Sequence, residues 1–173
     1  MKAVSKRSIQ EFFERLGNQY PKNATLSLLG GGAMILLGSS RETLDVDYAG
    51  DDIHKNEFQI VIEKIARELG LEIEAVPIEH FVPLPEGSEQ RRIHIGQYGN
   101  VHVYVFDPYS IALSKLDRGS DRDLDDLVFL LQQNHITLEE LERITQEGLT
   151  HAGKYDFHPD ILAHLQELRN RIK

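Results

Sequence analysis

Apolar residues recur at helical spacing near the start of the chain, at Ile9, Phe12, Phe13 and Leu16, and Gly17-Asn18 closes the stripe. Ser8 with Glu11 reads as a capping box for this first helix. Ala24 to Leu29 is an apolar run of strand length, and a glycine turn leads from it into a short helix through Leu37. Thr43 to Tyr48 reads as a second strand. A longer amphipathic segment, His54 to Leu69, turns Phe58, Ile62, Ile65, Ala66 and Leu69 to one side and stops at Gly70. Leu71 to Val76 is a further strand, and Pro77 to Glu89, with its prolines and glycine, is a loop. Arg91 to Ile95 and Val101 to Phe106 read as a hairpin around Gly96-Gln97-Tyr98-Gly99-Asn100.

Beyond Pro108 the pattern is helical to the end. Helices are expected over about Tyr109 to Leu116 and Asp121 to Gln133, then after a capping box from Thr137 to Glu140. The last starts near Pro159, with Ile161, Leu162, Leu165, Leu168 and Ile172 on one side. The expected organisation is a mixed α/β core over 1–107 and a helical portion over 108–173 packed on it as a single unit, without internal repeats.

Composition narrows the function classes. The chain has 173 residues, enough to bury a substantial core, and 40% hydrophobic with 27% charged residues is ordinary for a globular protein. No apolar run reaches the roughly 18 residues of a membrane span, and the N-terminus lacks a signal-peptide core. With no cysteine there is no disulfide framework and no thiolate chemistry, which fits a cytoplasmic protein. A net charge of −9 argues against a broad nucleic-acid footprint but leaves room for a local basic patch.

The chemistry concentrates in Leu28-Leu29-Gly30-Gly31-Gly32-Ala33 and Leu44-Asp45-Val46-Asp47. Residues two apart on a strand share a face, so Asp45 and Asp47 present adjacent carboxylates while Leu44 and Val46 pack behind them. Paired hard oxygens suit Mg²⁺, which completes its shell with water and substrate phosphates. Glycine N–H groups at a helix start favour a phosphate. The combination reads as a nucleotide site. Solvated strand-end acids and a plain strand–helix turn are the blander readings of the same residues. Residue 35 is Ile, which breaks a dinucleotide-binding glycine fingerprint from Gly30, and no Gly-Lys-Ser/Thr element exists. Arg41 fits a phosphate contact or a clamp on the nearby acids equally well. Thr43 is placed to order the turn into the strand. Lys115 between Leu113 and Leu116 also fits a surface lysine, and the acidic run from Asp121 to Asp126 fits a solvated first helical turn.

A Gly-Gly pair followed after about a dozen residues by Asp-x-Asp on a strand resembles the signature of the polymerase-β-like nucleotidyltransferase superfamily. Gly31-Gly32-Ala33 with Gly38, Arg41, Thr43, Asp45 and Asp47 is similar to the small bacterial DUF6036 and AbiEii-toxin-like proteins. So is the block from Asp107 to Arg118 followed by Arg122-Asp123-Leu124-Asp125-Asp126-Leu127. The resemblance implies an α/β (α+β) fold, a twisted mixed sheet backed by helices with a C-terminal helical portion. It implies transfer of a nucleoside monophosphate from an NTP to a hydroxyl on an RNA end, protein or small molecule. Asp45 and Asp47 would be the catalytic residues and the ligands of Mg²⁺ or Mn²⁺, and Gly31, Gly32, Arg41 and Lys115 would bind the nucleotide. The alternative is a catalytically silent protein that binds nucleotide or a partner, such as a cognate toxin or antitoxin. A third carboxylate is expected on a neighbouring strand. The expected counterpart, Val101 to Phe106, holds His102 and Tyr104 on one face and no acid, leaving Asp107 just past its end, with Asp126 as a further possible acid.

Overall fold

A computed structural model of the protein describes residues 3–173. The described residues form seven α-helices and one five-stranded mixed sheet, in agreement with the expected fold class. Contacts separate them into two compact units. One runs up to Pro77 and resumes over Arg92–Phe106; the other comprises Ile78–Arg91 and Asp107–Lys173. The Pro77 to Glu89 loop, expected in the α/β part, therefore falls almost wholly with the helices.

In the α/β unit, helix α1 (Lys6–Gln19) starts three residues earlier than the Ser8 cap predicts. Ser5 is the N-cap, and it exchanges hydrogen bonds with Ser8 in a capping box. Val4 and Ile9, both buried, occupy the two positions of a hydrophobic staple, and Val4 N–H is tied to the Thr43 carbonyl at 2.8 Å. These anchors move the helix start upstream. Glu11 instead pairs with Arg15 on the helix surface.

Strands β1 (Ala24–Leu29), β2 (Asp45–Ala49), β3 (Glu72–Val76), β4 (Ile93–Tyr98) and β5 (Val101–Val105) lie in the order β3-β2-β1-β5-β4. β1 pairs antiparallel with β2 and parallel with β5, and β2 pairs parallel with β3. Helix α2 (Gly30–Leu36) leaves the end of β1 directly. Helix α3 (Glu57–Leu69) begins at an Asn56 cap rather than at His54, because the Asp51 carboxylate accepts from Ile53 and His54 N–H and holds that segment in a turn. The β4–β5 connection is shorter than expected. Gln97 and Tyr98 have ladder partners in His102 and Val101, so the turn reduces to Gly99-Asn100.

Alternation divides the sheet into two unlike faces. Leu26, Leu28, Val46, Tyr48, Val101, Val103 and Val105 are buried on one. The Phe13 ring of α1 lies 5.4 Å from Tyr98, and Gln59 of α3 reaches the Tyr48 hydroxyl, so both helices cover this apolar face. The other face carries Thr25, Ser27, Asp45, Asp47, Glu74, His102 and Tyr104. Leu44 was expected behind the acids; it precedes β2 and is 51% exposed, leaving Val46 and Tyr48 to do that packing.

The second unit contains α4 (Pro108–Arg118), α5 (Asp121–Gln132), α6 (Leu138–Leu149) and α7 (Ile161–Arg171), with α4 packed against the other three. Ser120 caps α5 and Thr137 caps α6. Ile161, Leu165 and Leu168 of α7 are buried; Leu162 and Ile172, expected beside them, are exposed. Leu162 sits one position off the buried i, i+4, i+7 row, and Ile172 lies past the end of the helix.

Gly17 tests how tightly α1 rests on the sheet. A Cβ there would stand 2.5 Å from the Tyr98 carbonyl oxygen, which is backbone and cannot swing away. Helix propensity favours Gly17→Ala by about 1 kcal/mol. We predict that the clash wins and that Gly17→Ala lowers the urea midpoint by more than that gain would raise it.

Candidate functional site

Three carboxylates converge on the polar face. One oxygen from each of Asp45, Asp47 and Glu74 lies within 4.8 Å of the others. Asp45 and Asp47 come from one strand by the two-residue repeat. Glu74 comes from β3, whose parallel register sets it beside Asp47. The third acid is therefore on the strand adjoining β2. β5, where it was expected, is separated from β2 by β1. The local signal was Ile73-Glu74-Ala75, an acid between apolar residues on a predicted strand; identifying it required knowing that β3 pairs with β2.

Thr43 is buried, and its hydroxyl proton is shared between the Asp45 carbonyl at 3.2 Å and Asp45 Oδ1 at 3.3 Å. It orients this carboxylate as the chain enters β2. The glycine turn approaches the same group of residues. Gly30 has φ +58°, a conformation that favours glycine, and a Cβ on it would fall 2.6 Å from Asp47 Oδ2 and displace that carboxylate. A Cβ on Gly31 would collide with the Arg41 guanidinium and stand 2.6 Å from Thr43 Oγ1. Gly32 is looser: a Cβ there would make ordinary contact with Val46. Gly31, Arg41, Thr43, Asp45 and Asp47 thus form one neighbourhood in the α/β unit.

The other predicted residues lie in the helical unit. Asp107 is fully buried and caps α4, accepting from Tyr109 and Ser110 N–H. Arg91 donates to both of its oxygens at 2.7 and 2.8 Å, and Ser110 Oγ adds a bond at 2.8 Å. This ion pair holds the Arg91 guanidinium above its ordinary pKa. With both oxygens engaged by five donors, Asp107 serves as a helix cap and arginine anchor.

Lys115 is 3% exposed, which sets aside its reading as a surface lysine. Its ammonium donates to Asp126 Oδ2 at 2.7 Å and lies 3.9 Å from Asp123 Oδ1. Burial pushes its pKa down, against the upward pull of Asp126 and Asp123. Burial also works to raise the Asp123 carboxyl, but bonds from Arg118 and Ser120 outweigh it and hold the group low. Lys115, Asp123 and Asp126 therefore join α4 to α5 through a buried charge network.

The carboxylate cluster fits a small hard cation. Octahedral Mg²⁺ binds oxygens at 2.0–2.1 Å, so its ligands stand about 2.9 Å apart when cis and about 4.2 Å when trans; oxygens within 4.8 Å of one another enter that shell as the side chains draw inward. An all-oxygen set excludes preference for a soft metal.

A mixed sheet with an Asp-x-Asp strand, a third acid beside it and a glycine turn at its edge is a nucleotidyltransferase-like architecture. The chain belongs to the DUF6036 family, described as a nucleotidyltransferase of unknown function, whose model matches residues 7–164. Comparison with curated proteins and with solved structures gave no match. Among the described residues, no helix is long and apolar enough to cross a membrane.

Asp47 and Glu74 are like charges side by side on neighbouring strands, an arrangement that destabilises a sheet by some tenths of a kcal/mol. Glu74→Gln is expected to raise the melting temperature slightly in chelator. The same variant should shrink the rise that Mn²⁺ gives the wild type, since a ligand stabilises according to its affinity for the folded state. Differential scanning fluorimetry with and without metal reads both signs.

Proposed function

We propose that the protein transfers a nucleoside monophosphate from an NTP to a hydroxyl acceptor, using Mg²⁺ or Mn²⁺ held by Asp45, Asp47 and Glu74. The observation that carries this reading is the convergence of those three carboxylates next to the Gly30–Gly31 turn. When bound, the metal would neutralise developing phosphate charge and help position the reacting oxygens. Asp45 and Asp47 are the catalytic pair. Gly31 and Gly32 offer first-turn N–H groups to the triphosphate, and Arg41, packed against Gly31, supplies positive charge there. In the transfer, an acceptor oxygen bonds to the α-phosphorus, the α–β phosphate bridge breaks, pyrophosphate leaves and the hydroxyl proton passes to solvent.

Lys115 enters this proposal as the pin between α4 and α5. The silent reading, a nucleotide- or partner-binding member of a toxin–antitoxin pair, drew its support from a missing third acid. The approach of Glu74 to Asp45 and Asp47 supports the enzyme reading instead. We assign the reaction to the cytoplasm, where NTPs are abundant.

Incubation with α-labelled NTPs, Mg²⁺ or Mn²⁺ and bulk RNA, protein or small-molecule acceptors tests the reading. Label transfer is expected from the wild type and should vanish in Asp45→Asn and Asp47→Asn. Glu74→Gln should reduce it by about 10²-fold or more, the scale for losing one preorganised electrostatic group. Absence of transfer to every acceptor, with no Mg²⁺-dependent NTP binding by calorimetry, would overturn it.

A further inference from the structure

The polar face of the sheet carries a second group of side chains that the metal site does not use. Tyr104 and His102 of β5 alternate with buried valines and so face the same side as Asp47. His94 pairs with Tyr104 and Gln97 with His102. Positions 94 and 97 would oppose each other on a regular strand; the bulge between His94 and Gly96 returns both to this face. The His94 ring centroid lies 5.1 Å from Tyr104 and 5.8 Å from His102. The Arg92 guanidinium rests over the Tyr104 ring, 4.4 Å from its centroid. His94 is exposed, and Arg92, His102 and Tyr104 are half-buried.

We infer that Arg92, His94, His102 and Tyr104 form an acceptor subsite that stacks the terminal bases of a single-stranded RNA. The inference rests on the transferase reading for its chemistry and on the sheet for its placement. A guanidinium lying on a ring, with tilted imidazoles alongside, offers stacking planes to bases and a local positive charge to phosphates. This suits a chain whose net charge is −9. The register fixes the distance. Leu29 pairs with Asp47 and Ser27 with Tyr104, so Tyr104 stands two strands across and two residues along from Asp47. Strand spacing and rise make that about 12 Å between the two backbones. A strand stacked on the rings would therefore need only its end to extend toward the carboxylates.

Fluorescence anisotropy of a labelled oligoadenylate, in chelator and without NTP, isolates this subsite from the transfer chemistry. The wild type should bind, with affinity falling as salt rises. Arg92→Ala and Tyr104→Ala should weaken binding by about 5- to 150-fold, the range for losing a stacked base, while Tyr104→Phe stays within about twofold. His94→Ala, at an exposed position, should weaken binding with an unchanged melting curve. Asp45→Asn should bind at least as well as wild type, because it removes negative charge without touching the rings. No binding by the wild type, or unchanged binding in Tyr104→Ala and His94→Ala, would overturn the subsite. Equal loss of Mg²⁺–NTP affinity in Tyr104→Ala would also overturn it, by making the rings a seat for the donor base. Intact oligonucleotide binding without label transfer would sink the transferase reading alone.

Discussion

The parallel register of β2 and β3 sets Asp47 beside Glu74, and it gathers carboxylates that repel one another. In water-like surroundings a pair of unit charges at this separation repels by about 1 kcal/mol. On the opposite face of the same strand, Val46 and Tyr48 are almost fully buried. Burying one such side chain is worth about 1.5–3 kcal/mol, so the apolar face outweighs the repulsion and holds the register. A slip of one residue would exchange the two faces, burying the acids and exposing the core. The packing beneath α1 and α3 and the cluster above the sheet are therefore consequences of one alignment.

The edge of that cluster is equally constrained. β1 passes into α2 without a linker, so the first helical turn must lie close to β2. Gly30 makes room for the Asp47 carboxylate and Gly31 for Arg41 and Thr43. Thr43 in turn holds Asp45 through its hydroxyl, and its carbonyl ties down Val4 at the start of α1. Backbone, cap and carboxylate are thus linked through a few residues. The polar face beyond β1 is built differently, from rings whose direction depends on a bulge in β4.

The helical unit uses charge for another purpose. Lys115 with Asp123 and Asp126, and Arg91 with Asp107, place ionic groups inside a largely apolar bundle. Such pairs add little net stability over a well-packed apolar replacement, but losing one partner leaves the other buried and uncompensated. Their consequence is geometric: each ammonium or guanidinium admits few arrangements of its acids. Asp107 thereby defines where α4 begins, and Lys115 how α4 meets α5.

Much of this was legible in the order of residues. The sequence pattern located the seven α-helices and five strands of the described residues, because amphipathic repeats are local and the apolar side must face a core; it missed the short 3-10 turn Ile78–His80 in the proline-rich loop, while β1 was placed to the residue and Gly70 ended α3 as expected. The Asp-x-Asp pair and the glycine turn were likewise local, so Asp45, Asp47 and Gly31 could be named in advance. Helix starts were less legible, since Ser5, Ser8 and Asp51 offer competing side-chain bonds and only packing selects among them. Of the strand neighbours, only the β4–β5 hairpin was legible, because its pairing is local. Sequence order does not say that β3 lies beside β2 while β5 lies across β1, so Glu74 was not named beside the Asp-x-Asp pair; Asp107, named as a possible additional acid, caps α4 and binds Arg91. The chain by itself determined which side chains share a face; the tertiary structure decided which faces meet, because pairing between distant strands depends on the burial of the whole sheet.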